Sequence, residues 1–175
     1  MKITLKPELP GIRALFDFSP KTAEPMCLLV QRLLVEDNSL TKGERETIAT
    51  YTSFLNNCEF CMQSHAGIAE CHLGGGDLIG AFKQNFKGLI LTPKMNMLLK
   101  ICAQVQQDGK KLNDDLVNEA KSVGCTEQEI HDTVLITAAF CMYNRYVDAL
   151  AINVPKEKVA YQEMGRMIAT AGYMR

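Results

Sequence analysis

Apolar residues recur along most of this chain at intervals of three and four, the spacing that lines one face of an α-helix. Nowhere do they settle into the sustained two-residue alternation of a half-buried strand. The pattern predicts an all-α chain. After an N-terminal arm over about residues 1–20, punctuated by Pro7, Pro10 and Pro20, a first helix is expected within AEPMCLLVQRLLVED at 23–37. Thr41 and Glu44 stand in capping-box spacing, in which hydroxyl and carboxylate satisfy backbone donors that the first turn leaves free. They predict a second helix over 41–55.

Asn56 or Asn57 can stop that helix and cap a third, running from about residue 58 to residue 72 until GGGD at 74–77 ends it. Thr92-Pro93 opens a segment apolar at 95, 98, 99, 102 and 105, which Gly109 closes, and Asn113 and Gly124 bracket another. Thr126 and Glu129 repeat the capping-box spacing ahead of the long stretch EIHDTVLITAAFCMYNRYVDALAI, apolar on more than one side and hence central or shared with another subunit. Pro155 is read as the start of a last helix.

Composition narrows the setting. A chain of 175 residues that is 47% hydrophobic is long enough for one substantial core, so a single domain over 1–175 is expected. With 19 basic and 20 acidic residues there is no whole-chain field to attract nucleic acid or an anionic membrane. No apolar run reaches the length needed to span a bilayer, and the first residues carry no secretory pattern. Seven cysteines without the dense spacing of a secreted scaffold fit a reducing, cytoplasmic setting in which a disulfide is transient.

The chemistry concentrates in NNCEFCMQSH at 56–65, where Cys58 and Cys61 are followed by His65, one of three histidines. A structural zinc site is disfavoured: on one continuous helix the outer two of these residues lie about 10 Å apart along the axis, and no second CxxC or HxxxH closes a tetrahedron. Covalent haem attachment requires a histidine directly after the second cysteine, where this chain has Met62. A redox pair uses the same spacing better. The N-terminus of a helix stabilises a thiolate, residues three apart are close enough for a reversible disulfide, and His65 lies four residues beyond Cys61 as a base. Two buried thiols with a flanking histidine remain the bland alternative. Glu46, on the preceding helix with small polar neighbours Thr50, Ser53 and Asn57, either looks into a small wet cleft or is an ordinary surface glutamate.

The spacing E-x11-C-x2-C-x3-H, read as Glu46, Cys58, Cys61 and His65, resembles the active-site signature of the alkylhydroperoxidase D / carboxymuconolactone decarboxylase family. FCMYNRYVDAL at 140–150 is similar to a segment of its peroxidase-related branch. The resemblance covers about residues 20–155. It implies a compact helical domain with the CxxC at a helix N-terminus, assembled as a homo-oligomer (trimer or hexamer), and reduction of peroxides by a dithiol without metal or other cofactor. Carried over, Cys61 is the peroxidatic cysteine, Cys58 the resolving partner, and His65 with Glu46 a proton relay. The placement of His65 beside Cys61 favours that order. Better-known members have a histidine where this chain has Phe60, which leaves the thiol or protein reductant unspecified. The decarboxylase branch does not depend on a redox CxxC. Two other functions fit the same residues: a dithiol reductase serving a partner protein, and a non-catalytic helical oligomer with oxidation-sensing cysteines. Cys27, Cys102 and Cys141 are expected in the core, and Arg145 and Asp148, three apart on the long helix, fit either an ion pair at a subunit contact or an exposed pair.

Overall fold

The structure is a computed structural model that describes residues 2–174. Among the described residues there are nine α-helices, one 3-10 turn and no strand. In chain order they are α1 (Ile12–Phe18), α2 (Pro20–Leu34), α3 (Lys42–Leu55), α4 (Glu59–Leu73), α5 (Leu78–Lys83), α6 (Pro93–Gln107), the 3-10 turn (Gly109–Lys111), α7 (Asp114–Ser122), α8 (Glu127–Ala149) and α9 (Lys158–Ala171). No helix among these residues is long and apolar enough to cross a membrane.

The helix at the centre is α3, which packs on α4 along one side and on α6 and α8 along others. Its start is fixed by both halves of the capping box: Glu44 N–H donates to Thr41 Oγ1 at 3.2 Å, and Thr41 N–H donates to Glu44 Oε2 at 2.8 Å. The same reciprocal pair opens α8 at Thr126 and Glu129, and the second carboxylate oxygen of Glu129 accepts from Lys94 Nζ at 2.8 Å. One cap thus joins the beginnings of α6 and α8. The main core lies between α2, α3, α6 and α8, with Leu34, Ile48, Leu98, Ile101, Ile136 and Phe140 withdrawn from solvent. A second cluster surrounds the CxxC turn and draws in Leu15, Phe60, Val147, Ile152 and Tyr161.

Several local expectations change. The N-terminal arm holds a helix of its own, α1, seven residues long and too short to show periodicity between its flanking prolines. The arm is tied down by Lys2 N–H to Leu150 O at 3.1 Å and Gly11 N–H to Asn153 O at 2.8 Å. Pro20, assigned to the arm, is the first residue of α2, where its missing N–H costs nothing. After the glycines, Asp77 caps the short α5, its carboxylate accepting from Gly80 N–H at 3.2 Å. That helix closes an aromatic group in which Tyr51 and Phe82 lie 4.9 Å apart between centroids. Pro155 does not begin the last helix, which starts at Lys158 with Glu157 in the N-cap position.

The crossing of α4 and α9 brings two backbones close together at a pair of glycines. A Cβ on Gly165 would lie 2.6 Å from Gly67 C and 2.8 Å from Gly67 O, and one on Gly67 would lie 2.9 Å from Tyr161 O. These are backbone atoms and cannot swing aside. Gly165→Ala is therefore expected to lose stability: the helix-propensity gain of about 1 kcal/mol is outweighed by an overpacking cost of about 1–3 kcal/mol. Urea unfolding checks this, and a variant at least as stable as the wild type would show that the helices separate freely.

Candidate active site

The turn between α3 and α4 sets the positions of both cysteines. Asn56 ends α3, Asn57 takes a left-handed conformation at φ 56°, and Cys58 is extended at φ −84° and ψ 94° as the N-cap of α4. Asparagine tolerates the left-handed region better than other residues with a Cβ. The N-cap expected at Asn56 or Asn57 therefore shifts to Cys58, and Cys61 falls on the first helical turn. The backbone bond from Cys58 N–H to Ser53 O at 3.0 Å closes the corner. Both thiols are free and buried, Cys58 at 0% exposure and Cys61 at 4%.

The histidine is held from three sides. His65 Nδ1 lies 2.7 Å from Glu46 Oε2, across the contact between α4 and α3. The Tyr173 hydroxyl donates to the other carboxylate oxygen of Glu46 at 2.5 Å and lies 3.3 Å from the same His65 nitrogen. The Phe140 ring meets the imidazole edge-on at 4.5 Å between centroids. A carboxylate accepts at this contact, so Nδ1 carries a hydrogen and Nε2 is the nitrogen left to take up or give a proton. Glu46 is 1% exposed. It faces neither a wet cleft nor bulk solvent, the two settings open to it in the sequence, and its charge is met by two donors instead of by water.

The two sulfurs are driven in opposite directions. The Cys61 thiol is held below its ordinary value, first by the hydrogen bond from Cys58 and then by the charge of a protonated His65 and a hydrogen bond from Asn144, against the opposing effect of burial and of the Asp148 charge. Cys58 is pushed far up, first as the donor in that shared hydrogen bond and then by burial, the negative charge on Cys61 and a bond to Asp148. One proton is thus shared by two sulfurs and stays on Cys58. The phenol of Tyr173 is also held well above its ordinary value by burial and by the Glu46 charge, so it remains a donor.

Cys61, Ser64, His65 and Tyr173 line one cavity of about 670 Å³. Its other walls are largely apolar, with Ile12 and Phe16 from α1, Phe60 from α4 and Met164 and Met167 from α9. Phe60 points toward Gly11, where a Cβ would lie 1.9 Å from its ring, so the left-handed glycine at φ 63° is required for the arm to close over this side chain. Among the described residues, no group of three or more His, Cys, Asp and Glu side chains is placed to hold a metal ion.

The structure brings Glu46 to His65, and Cys58 to Cys61, and it adds Tyr173 and Asn144. Tyr173 lies in a tail with no periodicity, held by its N–H to Gln31 Oε1 at 2.8 Å, and nothing in the sequence ties it to Glu46. Asn144 stands in the NRYVDAL stretch already singled out for its resemblance. The anticipated ion pair of Arg145 and Asp148 is not formed: Arg145 donates to Cys141 O at 2.9 Å, and Asp148 faces Cys58. Of the cysteines assigned to the core, Cys102 is fully buried, whereas Cys27 is half-buried and lines the cavity and Cys141 is half-buried.

No protein-family model matches the sequence, and no curated protein matches it either. Solved structures do. The chain is similar to an alkylhydroperoxidase AhpD core, an uncharacterized peroxidase-related protein from Ralstonia eutropha JMP134, with a TM-score of 0.79 and 23% identity over 90% of this chain and 82% of that one. It is also similar to an uncharacterized peroxidase-related protein from Silicibacter sp. TM1040, with a TM-score of 0.77 and 22% identity over 87% and 78% of the two chains. A third, a protein of unknown function from Agrobacterium tumefaciens described as a candidate antioxidant defence protein AhpD, gives a TM-score of 0.71 and 18% identity over 84% and 99%. The fold is the all-helical AhpD fold.

The geometry has a direct kinetic consequence. The rate of alkylation of Cys61 is expected to rise with pH about a midpoint below that of an ordinary thiol, about 8.5, because the reactive thiolate is present above its own lowered value. His65→Ala and Tyr173→Phe should each move that midpoint upward, the second less. Alkylation followed on the Cys61 peptide by mass spectrometry measures it, and an unshifted wild-type midpoint would leave the thiolate without its stabilisation.

Proposed function

We propose that the protein is a thiol-dependent peroxidase that reduces organic hydroperoxides or hydrogen peroxide through a dithiol/disulfide cycle of Cys61 and Cys58. The observation that carries this reading is the opposed bias of the two sulfurs beside a histidine that lines the same cavity as Cys61. The likeness in fold to proteins described as AhpD or peroxidase-related supports it.

The Cys61 thiolate attacks the terminal peroxide oxygen, the O–O bond breaks, and the leaving oxygen takes a proton to depart as alcohol or water. Protonated His65 is the donor, with its positive charge held by Glu46. Cys61 is now a sulfenic acid. Cys58 then attacks that sulfur, its proton and the departing hydroxide leave as water, and a disulfide joins the pair. An external thiol, small or protein-borne, returns both cysteines to the reduced state. Loss of negative charge at Cys61 removes one of the effects that held the Cys58 proton, so the first step prepares the second.

The cavity supports organic hydroperoxides over hydrogen peroxide, since about 670 Å³ of largely apolar space is within the range that takes a drug-sized ligand and exceeds what hydrogen peroxide needs. The assembly belongs to the same proposal: Leu135 and Met142 on α8 are 38% and 45% exposed, an apolar stripe that a homo-oligomer would cover. A dithiol reductase serving a partner protein is the competing reading, and it predicts turnover with a disulfide substrate in place of peroxide.

Addition of cumene hydroperoxide should consume both thiols of the pair rapidly and reversibly with dithiothreitol. Cys58→Ser should consume one equivalent and stall as a sulfenic acid trapped by a dimedone-type probe, whereas Cys61→Ser should show neither. His65→Ala should slow the first step by about 10²-fold. A trapped adduct on Cys58 would reverse the roles, and no rapid thiol loss in the wild type would end the peroxidase reading.

A further inference from the structure

Three side-chain amides form a single file behind Cys61. Gln106 Nε2, on α6, donates to Asn56 Oδ1 at 2.8 Å. Asn56 Nδ2, at the end of α3, donates to Asn144 Oδ1 at 2.8 Å. Asn144 Nδ2, on α8, donates to Ser53 Oγ at 3.1 Å. The direction of this file is set at its far end. Ser53 spends its only hydrogen on Ala49 O at 2.9 Å, so toward Asn144 it can only accept. Asn144 must therefore present its NH₂ to Ser53, which leaves its oxygen facing Asn56 and the second hydrogen of the same NH₂ unspent by these contacts.

We propose that Asn144 is a catalytic hydrogen-bond donor to the Cys61 sulfur, and that Asn56 and Gln106 are positioning residues that keep its NH₂, and not its oxygen, turned toward that sulfur. The proposal rests on the peroxidase reading for its purpose, although the hydrogen bonds themselves do not. A side-chain amide has nearly the same shape either way round. Asn144 turned over would present a lone pair to a thiolate and repel it. The fully buried Ser53, which can only accept, and the NH₂ of Asn56, which can only donate, each exclude that orientation from one side, and Asn56 is itself oriented because Gln106 offers it a donor. The three residues come from the ends or interiors of α3, α6 and α8, so the file also ties the CxxC corner to the two helices behind it. The other titratable groups around Cys61 are Cys58 and His65 on or beside its own helix, Asp148 on α8, Tyr161 on α9 and Tyr173 in the tail, and none of them is a hydrogen-bond partner of the file, whose one titratable contact is Cys141 on α8, its sulfur accepting from Asn56 Nδ2 at 3.5 Å.

The test is to reverse one donor far from the sulfur. Gln106 is half-buried, and Gln106→Glu sets an acceptor against the Asn56 oxygen. Relief comes if Asn56 turns over, which places oxygen against oxygen at Asn144 and turns that amide over in its turn. Gln106→Met removes the bond without reversing it, and Gln107→Glu adds the same charge one residue along without touching Asn56. The rate of alkylation of Cys61 by iodoacetamide, read on its peptide by mass spectrometry across pH, is the measurement. Gln106→Glu should slow it about fivefold or more at pH 7 and raise its midpoint, with Gln106→Met and Gln107→Glu within about twofold of wild type. Asn144→Asp should raise the midpoint further.

Equal rates for Gln106→Glu and the wild type, equal slowing by Gln107→Glu, or an unmoved midpoint in Asn144→Asp would each overturn the proposal. If Gln106→Glu does not fold, Asn56→Asp takes its place, since it sets an acceptor directly against the Asn144 oxygen and must also raise the midpoint. Consumption of cumene hydroperoxide by the wild type is followed in parallel. Its absence would remove the peroxidase reading and leave the alkylation result to decide the role of the amides.

Discussion

The arrangement of the site depends on one buried carboxylate. Glu46 is withdrawn from water in the middle of α3, where an unmatched charge would cost several kcal/mol. Its two oxygens are matched by His65 from α4 and Tyr173 from the tail after α9. Those two contacts fix three parts of the chain against one another at a single point. They also set Nδ1 as a nitrogen that carries hydrogen, and so leave Nε2 to take up or give a proton. The close glycine crossing of α4 and α9 serves the same point, because the tail can reach Glu46 only if α9 lies flat against the helix that carries His65.

The helical architecture was legible because its signals are local. The two capping boxes, the proline at the start of α6 and the apolar stripes of α3, α6 and α8 each act within a few residues, and each helix lies close to its expected bounds. The misses are elements too short to show a period. α1 and α5 have seven and six residues, and only the capping Asp77 of α5 left a sign that could have been read. Asparagine favours caps, which points to Asn56 or Asn57 as one, whereas Asn57 serves here in the left-handed turn that aims the next residue.

The site divides in the same way. Cys58, Cys61 and His65 are neighbours along one helix, and their spacing conveys that directly. Glu46 could be placed only by resemblance, since a glutamate with small polar neighbours reads equally as a surface residue until a partner helix is known. Tyr173 and the amide file were beyond reach for a different reason. Their bonds join positions 127, 88 and 50 residues apart, and no periodicity carries information over such separations. Arg145 and Asp148 show the reverse error, in which correct helical spacing suggested a pair but Asp148 is drawn instead toward the buried sulfur of Cys58.

Two thiols within one helical turn would be chemically alike if only the helix acted on them, since both lie in the field of the same N-terminus. The asymmetry comes from the elements packed against the turn. On the side of Cys61 stand a hydrogen-bond donor, Asn144, and a histidine that can carry positive charge; on the side of Cys58 stands the carboxylate of Asp148. Asn144 and Asp148 are four residues apart on α8, one turn of helix, as close a match as a helix can make to two cysteines spaced three apart on α4. In the proposed cycle the order in which the sulfurs react would rest on the hydrogen bond within the CxxC together with the face of α8 that lies across it, and exchanging the donor and the carboxylate on that face would be expected to weaken the bias between the cysteines.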